Sequence, residues 1–265
     1  LARRPRLLKI APRDIPYFLL LGTLGMAAIN ITYLYAISRL NVAAALILEY
    51  LAPALIAAHT VIVRRERLSP WTALSIAAAI AGCYLVVGAY SLDLLQLTLP
   101  GILSGLGAAA AFAWWSVHGE YGMHRYDPWT VLFHALLVAA VEWNLLHPPL
   151  EAFLHPYDPA TWGWILFVAV VGAILPFGLY YEGISRIRAT RASITSTVEP
   201  IVAGILSFAF LGEAMGPLQI AGGALVIGAI VLLQLKQERD ERTPARIRAQ
   251  AATGGEPAGG GGGGR

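Results

Sequence analysis

Two glutamates stand out by their surroundings. Glu49 closes the run Ala43-Ala-Ala-Leu-Ile-Leu-Glu49-Tyr-Leu-Ala-Pro53, and Glu199 lies in Ser193-Ile-Thr-Ser-Thr-Val-Glu199-Pro200. Each sits near the middle of a long apolar stretch. An ionised carboxylate at the centre of a membrane helix costs about 2.5–3.5 kcal/mol on insertion scales, so it needs a cation, water or a proton. Pro53 and Pro200 lack the N–H that would close a helical hydrogen bond, so each weakens its helix and releases a carbonyl nearby. Carboxylates and freed carbonyls together bind a cationic or zwitterionic group, or exchange a proton. The competing role is a neutral acid that hydrogen-bonds a neighbouring helix and only holds the bundle together.

Other polar and aromatic groups lie in the same kind of stretch. Asn30, Thr32, Tyr33 and Tyr35 fall in the first apolar run, Tyr180 and Tyr181 in the sixth, and Trp114, Trp115 and His118 in the fourth. Ser193, Thr195, Ser196 and Thr197 precede Glu199, and hydroxyls of this kind bond either a ligand or their own helix's carbonyls. The expected binding set is Glu49, Glu199, Tyr33, Asn30, Trp115, Tyr180 and Ser196, with Pro53 and Pro200 as bend points. His59, His134 and Glu142 read as structural. The histidines have no metal-ligand spacing, and the single cysteine, Cys83, provides no thiolate set. No Walker-type loop is present and no Ser/His/acid group assembles, so neither an enzyme nor a cofactor is expected.

These residues must be positioned by membrane helices. Of 265 residues, 57% are hydrophobic and 13% charged, against about 45–50% and about 25% in soluble domains. Mean hydropathy is +0.62. Eight runs are long enough to span, at 16–37, 41–63, 70–89, 100–119, 129–147, 161–183, 190–211 and 217–236. Pro70 and Pro217 read as first residues of helices. The segment 1–15 is basic, and 237–265, with its glycine run at 259–264, reads as a disordered tail. The net charge of +3 does not indicate nucleic acid, because the basic residues fall in short clusters between apolar runs. In the topology of these runs, 18 of the 19 Lys and Arg residues lie on one side, leaving Arg39 on the other. The positive-inside rule then places both termini in the cytoplasm.

A shift of 147 residues aligns 33–85 on 180–232 without a gap, with 12 of 53 positions identical. The matches include Tyr33/Tyr180, Ser38/Ser185, Arg39/Arg186, Pro53/Pro200, Glu66/Glu213 and Pro70/Pro217. Equivalent runs are five spans apart, so the copies are expected to be inverted in the membrane, the plan of alternating-access carriers. The expected fold is all-α: a polytopic bundle of eight transmembrane helices, as a partial repeat over 16–89 and a full one over 100–236.

The second copy, with Ser193 to Pro200 leading to Gly212-Glu213 and a Gly/Ala-rich final helix, resembles the closing half of EamA-type carriers of the drug/metabolite transporter superfamily. The first copy, from Ala43 to Pro53 with Glu66, resembles part of the other half. Arg65-Glu66 replaces the family's usual Gly-Glu, and the usual ten helices lack their first two here. The resemblance implies a secondary carrier in the plasma membrane that moves a small organic metabolite, such as an amino acid or drug, often outward. A small-molecule substrate and membrane lipid are the expected partners, and a homodimer is left open. The rival expectation is a truncated or non-transporting scaffold protein that needs a partner.

Overall fold

The computed structural model describes residues 9–40, 42–88, 90, 98–146, 155–212, 216–235 and 243–252. Among the described residues there are no strands. Helix α1 runs Pro12–Arg39 and α2 Val42–Glu49; α3 is Ala52–Ile62, α4 Pro70–Val86, α5 Leu99–Gly122 and α6 Pro128–Leu146. Helix α7 runs Pro159–Ser196, followed by α8 Glu199–Leu211, α9 Pro217–Leu235 and α10 Pro244–Ala252. By length and composition, six stretches can cross a membrane: α1, α2–α3 (Ala44–Ile62), α5, α6, α7 and α9. Two shorter apolar helices, α4 and α8, occupy the third and seventh expected runs. The protein is an all-α polytopic membrane protein.

The helices meet where side chains are small. Without a hydrophobic difference between helix and lipid, association rests on close packing. Gly82 of α4 lies against α9 so closely that an added Cβ would stand 2.6 Å from Val226 Cγ2 and 2.8 Å from the Gly222 carbonyl oxygen. Gly101 and Gly105 of α5 receive Leu40 and Leu48. The pair Ala224/Gly228 also has the spacing of a helix contact, but it faces outward with open space around Gly228. The contacting face of α9 carries Gly222, Val226, Ala229 and Leu233 instead.

Three departures from the expected spans matter for the site. The sequence divides the sixth and seventh runs between 183 and 190, where no strong helix breaker lies. The structure breaks in that interval: Arg188 (φ 68°, ψ 163°) separates helical segments 175–187 and 189–196 of α7. A second break, inside the seventh run, comes at Thr197-Val198, immediately before Glu199-Pro200, because a proline is tolerated in the first turn of a helix and not in its interior. The second run breaks likewise at Tyr50-Leu51, ahead of Ala52-Pro53. In the tail expected to be disordered, 244–252 form α10, and Arg248 Nη1 donates to the carbonyls of Met123 (2.7 Å) and Tyr126 (2.6 Å) beyond the end of α5. Glu213, Arg3, Arg4, Arg6, Pro148, Pro149 and the glycine run lie outside the described residues.

The irregularities recur at the spacing of the sequence repeat. A π-helical segment occupies Leu21–Ala27 in α1 and another Val168–Ile174 in α7. The breaks at 50–51 and 197–198, the positive φ of Arg65 (54°) and Gly212 (71°), and the starts at Pro70 and Pro217 are likewise 147 residues apart.

Candidate functional site

A cavity of about 330 Å³ opens where the two helix breaks face each other. Glu49, the last residue of α2, and Glu199, the first of α8, both line it. Asn30 and Tyr33 enter from one face of α1, since residues three apart are neighbours on a helix. Ser193 and Ser196 enter from the end of α7, and Pro53 from the start of α3. Pro53 has no N–H for the carbonyl of Glu49, and Pro200 has none for that of Ser196. Those two positions correspond under the 147-residue shift, and both lie on the cavity wall.

The two acids differ in setting. Glu49 is half-buried at the C-terminal end of α2, where the helix dipole adds negative potential and favours a cation. Glu199 is exposed at the N-terminal end of α8, where the dipole favours its own charge. Among the described residues no ion pair involves either carboxylate, and no Lys, Arg or His lines the cavity.

Two expected binding residues do not reach the cavity. Trp115 is fully buried, stacked on Tyr181 (centroids 4.2 Å, 23°) and edge-on to Phe177 (5.5 Å). Tyr180 hydrogen-bonds Ser116 through its hydroxyl (2.9 Å) and lies 5.3 Å from the ring of Phe112. They form a second layer whose front, Phe112 and Phe177, makes the cavity wall. Aromatic spacing in the sequence marked this layer without showing which rings come forward. Tyr50 and Thr197, which sit in the breaks, also line the cavity and were not in the expected set. The hydroxyls of Ser193, Ser196 and Thr197 each donate to a carbonyl of α7, leaving their lone pairs for a ligand. Of the residues read as structural, His134 bonds the Thr130 carbonyl and Glu142 accepts from Thr23.

A second cleft of about 390 Å³ continues from the first and shares Leu46, Tyr50 and Glu199 with it. It reaches Val42, Val86, Val87 and Gln219, which are at or beside the ends of α2, α4 and α9. The opposite end of the bundle is closed. There Ile56, Ala57 and Ile194 are buried, and the hydroxyls of Thr60 and Thr190 stand 3.4 Å apart. Beyond them Glu120 is buried in contact with Arg64 (2.5 Å), Arg188 Nε (3.3 Å) and the N–H of Ala189 (2.7 Å), while Arg188 also pairs with Glu66 (2.8 Å). Sequence reading missed Glu120, which lies near the end of its run and looks like an interfacial charge.

A cavity with two carboxylates on a largely apolar wall, set between two broken helices and closed at one end, has the geometry of a translocation site. The profile of the EamA-like transporter family matches residues 1–88 and 99–235. The chain belongs to the EamA-like transporter family. An uncharacterized transporter of Archaeoglobus fulgidus is 28% identical over 213 residues, covering 79% of this chain and 74% of that protein. The uncharacterized inner membrane transporter YicL of Salmonella typhimurium is 25% identical over 238 residues, 87% of this chain and 76% of its own length. The threonine/homoserine exporter RhtA of Escherichia coli is 24% identical over 235 residues, 87% and 74% of the two chains. A solved crystal structure superposes with a TM-score of 0.69 at 20% identity, covering 88% of this EamA chain and 80% of that one, a likeness of fold. The protein is a multi-pass membrane transporter of a small molecule.

Proposed function

We propose that this EamA transporter is a secondary carrier for a small organic metabolite bearing an ammonium group, moved by alternating access, with Glu49 and Glu199 in its binding site. The observation that carries the proposal is a single cavity holding two carboxylates and no basic side chain. Two like charges so placed repel each other, and one cation between them relieves both. The carbonyls freed by Pro53 and Pro200 add acceptors of the same sign. Phe112, Phe177 and Tyr33 offer ring faces that attract a cation and cover an apolar body. The volume is at the lower end of the range of about 300–1,000 Å³ for ligand sites, which suits a small metabolite.

The alternating-access reading is supported by the helix irregularities that recur 147 residues apart. They describe two copies of one helical plan, and an odd number of spans between them makes the copies inverted. Basic residues Arg64, Arg125, Arg188 and Arg248 converge at the closed end. The positive-inside rule makes that end, with both termini, cytoplasmic, so the open cleft faces outward. RhtA's name as a threonine/homoserine exporter accords with an ammonium-bearing substrate. Uptake by proteoliposomes of amino acids with free amino groups, against the same compounds N-acetylated, tests the proposal. The free amines should enter and the acetylated compounds should not; equal uptake of both forms would remove the acids from recognition.

A further inference from the structure

The buried charge cluster at the closed end ties the two copies together. Arg64 and Glu66 follow α3 in the first copy, whereas Glu120 is on α5 and Arg188 on α7, in the second. Among the described residues, the cross-copy ion pairs Arg64–Glu120 and Glu66–Arg188 are at this end. Glu120 keeps only 2% of its side-chain surface exposed, Arg188 15%. Two carboxylates and two guanidiniums balance, which lets the group be buried while it stays together and makes it costly to separate dry.

The backbone is bent to make this cluster. Arg65 and Arg188 are the two non-glycine residues with positive φ among the described residues, and both belong to it or adjoin it. Arg188, at φ 68° and ψ 163°, occupies a region normally reserved for glycine. Its break frees the N–H of Ala189, and Glu120 Oε2 accepts it at 2.7 Å, capping the last segment of α7. Strain of this kind persists only where the surroundings hold it and is characteristic of elements that switch. Along α3, Pro53 lines the cavity and Ile56, Ala57 and Thr60 form the plug, and Arg64 follows just past the helix end. The cluster therefore lies roughly 16 Å beyond the cavity at 1.5 Å per residue.

We infer that Glu120, Glu66, Arg64 and Arg188 form the gate of the closed end, with Arg188 as its hinge, and that transport requires these cross-copy pairs to part and re-form in each cycle. The inference rests on the alternating-access reading, but its test needs no substrate. Two reporters are placed singly: Thr60→Cys in the plug and Val87→Cys in the open cleft. Cys83 is buried and contributes little background. Each reporter is labelled with a membrane-impermeant maleimide in vesicles of known orientation, in the parent and with Arg188→Gln or Arg188→Lys.

Arg188→Gln leaves two carboxylates facing one guanidinium and weakens the closed state. Thr60→Cys should then label about ten-fold faster from the closed-end side, while Val87→Cys labels more slowly from the other, because one population grows at the other's expense. Arg188→Lys keeps the charge and should stay near the parent for both reporters. Faster labelling of both reporters, or unchanged labelling of both, would overturn the gate and leave the cluster a structural tie. Reciprocal labelling without ammonium transport would keep the gate and overturn only the substrate assignment.

Discussion

Replacing Gly82 by alanine adds one methyl group to a close backbone contact between α4 and α9. That Cβ would lie 2.6 Å from Val226 Cγ2, 2.8 Å from the Gly222 carbonyl oxygen and 3.0 Å from the Val226 nitrogen. Carbon atoms pack best at about 3.5–4.0 Å, so α4 and α9 must separate by roughly 1 Å. The Val226 side chain can turn away, but the Gly222 backbone cannot, so the strain is shared along both helices. Overpacking of this kind costs about 1–3 kcal/mol. For a chain of this size that corresponds to a Tm lower by roughly 3–10 °C, read by fluorescence-detected size exclusion after heating in detergent. Gly222→Ala meets Leu85 Cβ at 2.6 Å and the Gly82 carbonyl oxygen at 2.7 Å, so it should behave alike. The double variant should lose less than the sum, because helices already parted admit the second methyl group more easily. Gly228→Ala is the control, since its Cβ meets nothing within 4 Å. If Gly82→Ala melts within 1 °C of the parent on this scale, or if Gly228→Ala is as damaging, the packing account of α4 and α9 is wrong.

Glu49→Gln should raise the KM for an ammonium substrate about 10- to 150-fold, the worth of one charged hydrogen bond, measured by proteoliposome uptake. Glu199→Gln should cost only a few-fold, because the N-terminal dipole of α8 already offsets part of its charge; the reverse ranking would contradict the helix-dipole argument. Burial, opposed by Glu120 and reinforced by Arg64, Arg188 and Arg248, holds the His124 imidazole below its ordinary value. A depressed folded value gives stability that is present above about pH 6.5 and lost as pH falls, so Tm should drop between pH 7 and pH 5.5. His124→Gln should flatten that profile; an equally steep one would assign the acid sensitivity to another group. A C-terminal alkaline phosphatase fusion should be inactive in the periplasm, and an active one would invert the orientation.

The all-α membrane fold was legible in the sequence, and the two acids stood out in it, because a membrane forbids unsatisfied backbone and stray charge, so each exception shows against an apolar background. Pro53 and Pro200 likewise marked the helix breaks, since proline has one tolerated position in a helix. The aromatic layer was less legible. Trp115 and Phe112 are three residues apart on α5, yet Phe112 lines the cavity and Trp115 is walled in by Tyr181 and Phe177, a choice made by how α5 and α7 cross. Glu120 was invisible for another reason: its partners lie 56 and 68 residues away along the chain. The break between the sixth and seventh runs fell inside the expected interval of 183–190, but its seat at Arg188 was hidden, because nothing in that residue type favours positive φ.

In the proposed cycle, substrate occupies the cavity between Glu49 and Glu199. Ser196→Cys places a thiol on that wall, and its labelling by an impermeant maleimide from the open side can be timed with and without transported substrate. The substrate should slow labelling with a concentration dependence matching its KM, and the protection should weaken when Glu49→Gln is added. A substrate that is transported at full rate while leaving Ser196→Cys labelling unchanged would show that it crosses the protein elsewhere.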